Sequence, residues 1–366
     1  MKVGVNLLWL VPGQVGGTEN YAVRLLGGVA DLAPSDVDVA LFVLPGFAEA
    51  HPGLAARFEH RVAPVDGRRR ALRVLAESTW LAARSRDRDL VHHLGGTVPT
   101  IRTAPSVLTI HDLQYLAHPE WFSAVKRRYL GLTVPRSVRA ADLVTAVSGP
   151  AADHVVEAFG VDRPAVVPHV VPELVVGSPP PGLPDRYLVF PAMTYPHKNH
   201  EILLDAISSL EPARRPHLVL TGGAGRHHET VSARLADPAI ADHVRHLGRL
   251  DDATFGAVLA GASGLVFPSR YEGFGVPVVE AMSVGVPVVS SSTPPLDDLV
   301  AGVGRLLDPD DVEGWAEAMA ELAAGEPLSD IDVAAGRDRA DQHRPSRTAE
   351  ELVGLWRGLH RRNLAG

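Results

Sequence analysis

The chain has 366 residues, 46% of them apolar and 21% charged, with a net charge of −8 and no cysteine. That length predicts two domains, and the acidic balance excludes a protein that coats nucleic acid, whose phosphates require a basic surface. The missing cysteine removes disulfides, zinc–thiolate centres, iron–sulfur clusters and thiol nucleophiles, and fits a reducing, cytoplasmic setting. No apolar run reaches the ~18 residues of a membrane span. The opening MKVGVNLLWLVPG superficially looks like a signal peptide. It lacks a small-x-small cleavage site and reads instead as a first buried strand.

In chain order, strands are expected at Val3–Leu10, Val37–Leu44, Leu90–Leu94, Val107–His111, Leu143–Ser148 and Ala165–Val170. Amphipathic helices at Thr18–Leu32 and Arg70–Arg84 lie among them. The second half repeats the scheme, with strands at Tyr187–Ala192, His217–Gly222, Val244–Leu247, Leu265–Pro268 and Val286–Ser291. Its helices are expected at His200–Leu210, His228–Leu235, Ala253–Ala262, Pro277–Val284 and Val312–Ala324. Near-continuous apolar strands alternating with helices give an α/β class with parallel sheets covered on both faces. VGSPPPGLPDR, Val176 to Arg186, has four prolines and two glycines and reads as a linker. The expected division is therefore 1–176 and 186–345, with 346–366, including the helical Thr348–Arg361, as a C-terminal helix. The stretch 325–347 before that helix has mixed signals.

Doubly wound domains bind ligands at the C-terminal ends of their strands, so the strand-to-helix loops carry the chemistry. In Pro268–Gly285, an apolar strand runs into Gly273 and Gly275, and Pro277 suits the first helical turn. The amides of Phe274, Gly275 and Val276 would face an anion at the helix N-terminus. Glu272 and Glu280 bracket that pocket and can accept hydrogen bonds from sugar hydroxyls. In Pro191–Ala206, Lys198 and Asn199 sit between a strand and a helix, and a fixed ammonium there would stabilise a departing anion. In Val11–Leu26, Gly16 and Gly17 precede an amphipathic helix that Thr18 can cap. His111 closes an apolar strand and is followed by Asp112. Thr221–Arg226 and Leu247–Leu250 are weaker loop candidates.

The run EGFGVPVVEAM from Glu272, followed by SVGVPVV, resembles the signature of glycosyltransferase family 4, retaining nucleotide-sugar-dependent enzymes of the GT-B fold. The resemblance covers nearly the whole chain and is strongest in the second half. It implies two Rossmann-like domains facing across a cleft, with the final helix crossing back onto the first. It also implies that Glu280 binds ribose, that Glu272 contacts the donor sugar, and that the amides of Phe274, Gly275 and Val276 hold diphosphate and sugar. Lys198 and Asn199 match the pair that family members set against the diphosphate. Gly16 and Gly17 match a loop that approaches phosphates and acceptor, and His111 matches a histidine near the reacting carbon. His111, Lys198 and Glu272 are thus the expected catalytic group. The donor is a nucleoside-diphosphate sugar, with no cofactor and no metal. One departure stands out: many members carry Gly-Arg six residues before the lysine, where this chain has Pro191 and Ala192. Arg270 and Arg226 are the candidate substitutes.

The acceptor is expected to be a small natural product, a saccharide or a lipid-linked molecule, lined by His92–Pro99 and Tyr115. Pro119–Arg128, PEWFSAVKRR, is either an ordinary amphipathic helix or a peripheral dock for anionic lipid. Asp-x-Asp at 36/38, 87/89 and 308/310 lies at element boundaries, where aspartate caps and turns, and it is not read as a metal site. HH at 92–93 and at 227–228 points to different faces, and no HExxH occurs. A nicotinamide enzyme would need G-x-G-x-x-G, and a pyridoxal-phosphate phosphorylase would need a key lysine, for which Lys198 is the one plausible residue and fits diphosphate binding better. The alternatives carried forward are a nucleotide-sugar epimerase of the same architecture and a non-catalytic nucleotide- or sugar-binding protein.

Overall fold

The computed structural model describes residues 1–13, 16–171, 173–325 and 331–365. The chain forms two compact units, Met1–Val170 with Arg344–Gly366, and Val171–His343. The division falls ahead of the proline-rich run at 176–186. The segment just before that run is already tied to the second unit, by Val171 N–H to the His343 carbonyl (2.9 Å) and Gly177 N–H to that of Ala253 (3.0 Å).

The first unit carries seven strands: β1 Lys2–Asn6, β2 Asp38–Val43, β3 Glu59–Val62, β4 Leu90–His93, β5 Ser106–Ile110, β6 Leu143–Ala146 and β7 Ala165–Val166. They are parallel, in the order β3-β2-β1-β4-β5-β6-β7. The second unit holds β8 Leu188–Pro191, β9 Leu218–Thr221, β10 Val244–His246, β11 Gly264–Phe267, β12 Val288–Ser291 and β13 Arg305–Leu307. These are parallel too, in the order β10-β9-β8-β11-β12-β13. Each sheet reverses its order beside its own first strand, the Rossmann-like arrangement the sequence implies. The central strands β4, β5, β9, β11 and β12 are buried throughout, as their apolar runs require.

The edge strands β3 (EHRV) and β13 (RLL) are not expected from sequence, because a half-buried edge needs no apolar run. Helices also form at Ala124–Ala140 and Gly149–Phe159; the first begins inside the helix expected over Pro119–Arg128 and runs past it, and the second is an addition. Pro135 interrupts the pattern of the first, and both announce themselves by serine caps, Ser123 accepting from Lys126 N–H and Ser148 from Ala151 N–H. The helix expected over Arg70–Arg84 instead changes to a π-helical stretch at Glu77–Leu81. Of the mixed segment at 325–347, residues 326–330 lie outside the described residues.

The last helix, Pro345–Ala365, belongs to the first unit and packs on its first helix, Gly17–Leu32. Gly28 permits the approach: a Cβ there would stand 2.7 Å from the Pro345 carbonyl oxygen. Trp356 is fully buried, and its indole N–H donates to Nδ1 of His92 (3.2 Å). His92 Nε2 then donates to Thr109 Oγ1 (2.8 Å), which meets Thr145 Oγ1 at 2.9 Å. One chain of hydrogen bonds thus runs from the C-terminal helix across β4, β5 and β6. On the other face of β4, His93 Nδ1 accepts from the Asn6 amide (3.1 Å).

Burial pushes His92 and His93 down to about 3, from an ordinary 6.5. The unfolded chain therefore binds more protons than the folded one between about pH 6.5 and 3, and stability falls as pH drops through that window. Equilibrium urea unfolding should show the midpoint of the first unit falling from pH 7 to pH 5. Each of these histidines should contribute up to about 1.4 kcal/mol per pH unit. Tryptophan fluorescence, to which buried Trp356 contributes, reports the transition, and His92→Gln should flatten the slope.

Candidate active site

In the second sheet the order reverses between β8 and β11, and the loops that follow these strands are 192–199 and 268–275. A doubly wound sheet opens a crevice for ligands at that place. Three bonds stitch the loops together. Arg270 N–H donates to the His197 carbonyl (2.8 Å). The Asn199 side-chain amide donates to the carbonyls of Pro268 (3.2 Å) and Pro309 (2.7 Å). Lys198 Nζ meets Glu272 Oε1 at 2.5 Å, with both side chains mostly buried. The ammonium also lies over the ring of Phe267, 5.4 Å from its centroid.

Local chemistry explains the shape. Pro196–Lys198 forms a 3₁₀ turn, and Asn199 takes the left-handed conformation (φ 59°) that lets the chain enter the helix His200–Ser209. Asparagine tolerates that region better than most residues. Asn199, expected at the donor, is 3% exposed and commits its amide to protein carbonyls, so in this conformation it positions Lys198. After β11, Gly275 (φ 105°) precedes the helix Val276–Val284 with Pro277 in its first turn. A Cβ on Gly275 would stand 2.5 Å from Leu296 Cδ2, so only glycine fits. Among the described residues, no protein acceptor receives the N–H of Gly275 or Val276. Glu280 follows one turn into this helix and is 4% exposed. Phe274 is buried with its ring edge-on to His343.

The two arginines proposed for the empty position at Ala192 separate in the structure. Arg270 is engaged by Asp310. Arg226 lies over the ring of Tyr195, 5.9 Å from its centroid, at the start of the Lys198 turn. Its loop is clamped to the Lys198 loop by Gly225 N–H to Thr194 Oγ1 (2.7 Å) and His227 N–H to the Thr194 carbonyl (2.9 Å).

In the first sheet the reversal lies between β1 and β4. His111 Nε2 bonds to the Leu94 carbonyl (2.8 Å), and since a carbonyl only accepts, the proton sits on Nε2. Burial lowers its pKa, so the ring is neutral and Nδ1 is an acceptor. Tyr21 and His169 pack edge-on around it, two neighbours that no sequence signal announces. The first helix begins at Gly17, with Gly16 (φ 68°) as its cap and no side-chain cap bond. Thr18 therefore lies inside the first turn and does not cap. Gln14 and Val15 of this loop lie outside the described residues. Glu19, in the first turn, folds the preceding loop back by accepting from Gly13 N–H (3.0 Å) and bonding His51 (3.0 Å).

Several expected lining residues are core instead. His92 and His93 are locked in buried bonds. Tyr115 is 4% exposed among Leu108, Ile110, Leu113 and Val134. The Asp-x-Asp aspartates are likewise engaged within the fold. Asp36 pairs with Arg357, Asp38 with Arg88, and Asp87 with Arg61 and Arg88. Asp89 accepts from Lys2 N–H, Asp308 from Asp310 N–H, and Asp310 holds Arg270.

Residues 185–324 match the family model described as glycosyl transferases group 1, and residues 15–173 match that of glycosyltransferase family 4. The chain is 27% identical to the O-antigen chain mannosyltransferase B of Escherichia coli, over 70% of this chain and 71% of that protein. It is 30% identical to the MMP alpha-(1->4)-mannosyltransferase of Mycolicibacterium hassiacum, over 66% of this chain and 63% of that one. The crystal structure of Anabaena Alr3699/HepE with UDP and glucose superposes with a TM-score of 0.76 at 20% identity, covering 98% of this chain and all of that one.

Asn199→Ala should remove donors from two buried carbonyls and place alanine in a left-handed conformation, costing about 2–4 kcal/mol in denaturant unfolding of the second unit. Asn199→Gly should recover about 1 kcal/mol of that by relieving the backbone alone.

Proposed function

This chain belongs to the GT-B glycosyltransferases of the group 1 and family 4 type, and we propose that it transfers a hexosyl group from a nucleoside diphosphate to an acceptor hydroxyl with retention of configuration and without a metal ion. The observation that carries the site assignment is the meeting of Lys198 and Glu272 across the β8/β11 reversal, beside the open amides of Gly275 and Val276. A cation and unpaired N–H groups at a helix N-terminus suit a diphosphate, and Glu272 and Glu280 suit the hydroxyls of sugar and ribose. The Phe274 amide completes the assigned donor contacts. Arg226 is the second cation in place of the arginine absent at Ala192, supported by the clamp that holds its loop to the Lys198 loop. In the first unit we assign His111 and the Gly16–Gly17 turn to the reaction, at the strand ends of that sheet.

No side-chain nucleophile is required. The bond from the anomeric carbon to the diphosphate oxygen breaks through an oxocarbenium-like state, and the acceptor oxygen bonds to that carbon on the face just vacated. The acceptor proton passes to the departing phosphate oxygen. Lys198 and Arg226 offset the charge that grows on the diphosphate, an interaction stronger in the transition state than before it. The mannosyltransferase relatives support a hexose donor and a saccharide or lipid-linked acceptor.

Lys198→Ala should lower kcat/KM for the donor roughly 30–1000-fold, with kcat carrying most of the loss and added magnesium giving no rescue. Lys198→Arg should recover only part, because a guanidinium differs in size and shape from an ammonium. Arg226→Gln should cost about tenfold. Proton NMR of the product should show the donor's anomeric configuration, and an inverted product overturns the mechanism. A loss under about threefold for Lys198→Ala removes that residue from the site.

A further inference from the structure

Three rings meet at the strand ends of the first sheet. Tyr21 stands on the helix Gly17–Leu32, His111 follows β5, and His169 follows β7. The centroids of Tyr21 and His111 are 4.9 Å apart with their planes at 89°, and those of Tyr21 and His169 are 4.8 Å apart at 65°. The two imidazoles lie 6.3 Å from each other. Tyr21 is fully buried and His169 is 8% exposed. Edge contacts between rings are favoured by the aromatic quadrupole, and they fix the ring planes relative to one another.

Filling the core at this place would need no hydroxyl. The Tyr21 hydroxyl is nonetheless used: it donates to the Val167 carbonyl (3.1 Å), two residues before His169. Burial pushes the phenol far above its ordinary value, so it keeps its proton and stays a donor. Val167 N–H donates in turn to the Ala146 carbonyl (2.8 Å), which ties the receiving segment to β6. The phenol is therefore anchored at its tip and packed along its ring. His111 is held from its other side, where Nε2–H donates to the Leu94 carbonyl (2.8 Å). Among the described residues no protein donor reaches its Nδ1, which stays open to accept. The helix that carries Tyr21 begins at Gly17 with Gly16 as its cap, so Tyr21 lies about one turn in from that glycine turn.

We propose that Tyr21 is a positioning residue of the transfer reaction, registering the His111 ring against the Gly16–Gly17 turn and keeping water from it, with His169 packed on the same phenol. This rests on the assignment of His111 and the glycine turn to the reaction. The titratable and charged groups around His111 are Asp112 beside it in the chain, His92 on β4, Tyr21 on the first helix and His169 after β7. Asp112 favours the imidazolium, but burial opposes it more strongly, so the ring stays neutral below its ordinary 6.5. Loosening the phenol admits water and moves His111 back towards that value. Below it the open Nδ1 takes a proton and ceases to be an acceptor.

Nitrogen-15 NMR of the full chain labelled at histidine reads the tautomer and the titration with no ligand added, and His111→Gln identifies the signal. The wild type is expected to keep Nε2–H and an unprotonated Nδ1 down through pH 6.5. Tyr21→Phe retains the ring and loses only the anchor on Val167, and circular dichroism should show it folded; Tyr21→Leu removes both. In each variant the His111 signal should average between tautomers and titrate nearer 6.5. Release of nucleoside diphosphate from UDP- and GDP-hexoses should fall about tenfold for Tyr21→Phe and about 100-fold for Tyr21→Leu. Both should gain an acid limb near pH 6.5 that the wild type lacks, whereas loss of packing alone lowers turnover evenly at every pH. An unchanged His111 signal in the folded Tyr21→Phe variant, or a loss of turnover without the acid limb, overturns the proposal. Wild-type turnover by His111→Gln overturns the assignment of His111 and the proposal with it. A crippled His111→Gln beside a fully active Tyr21→Leu overturns the proposal alone.

Discussion

The second unit depends on one constraint: two loops on either side of a sheet reversal must be held at fixed separation while presenting charge. Hydrogen bonds from Asn199 and from the Arg270 amide set the backbone distance, and the Lys198–Glu272 pair sets the side chains. An ammonium left alone in so covered a position would carry a large desolvation cost, which the carboxylate offsets. The ion pair therefore fixes the lysine at the mouth of the reversal. Ser291 and Thr293 add a second layer, both donating to the Ser269 carbonyl at the end of β11.

The first unit solves a different problem with the same means. Its sheet buries polar side chains, and several of them find a partner of the right sense. Indole, imidazole and two threonine hydroxyls form a relay in which the C-terminal helix is a full participant. Trp356 reaches β4 across 264 residues of sequence, so the last helix completes the unit begun by the first strand. The neutral state of His92 follows from its burial, and so does its acceptance of the indole proton at Nδ1.

Two basic segments show that charge in this chain is organised by position and not by total. A net charge of −8 excludes a nucleic-acid coat, but it conceals two neighbouring runs, 67–76 and 121–141, that hold cations and no carboxylate. Half of that pattern, the basic run with aromatics at 121–128, is visible in the sequence. The other half comes from residues about 55 positions earlier and becomes its neighbour only through the Arg70–Tyr129 contact.

The sequence by itself determined the α/β class, the pairing of two similar units, and the two loops that meet at the reversal of the second sheet. Those features depend on local pattern: apolar runs, glycine and proline beside a helix start, and a long signature from Glu272 to Glu280. It missed β3 and β13, because edge strands are not obliged to be apolar, and it set a cap at Thr18 that the glycine before the helix makes unnecessary. Tertiary structure alone decided which polar residues are available. His92, His93 and Tyr115 look like site residues in a string and are core residues in space, while Asn199 turns from the expected ligand contact into the brace of its neighbour. Arg270 and Arg226 are equal candidates by composition, and only the structure sets Arg270 against Asp310 and Arg226 over Tyr195. The physical reason is that a polar side chain's role is set by the nearest group able to satisfy it, and that group is seldom its neighbour in sequence.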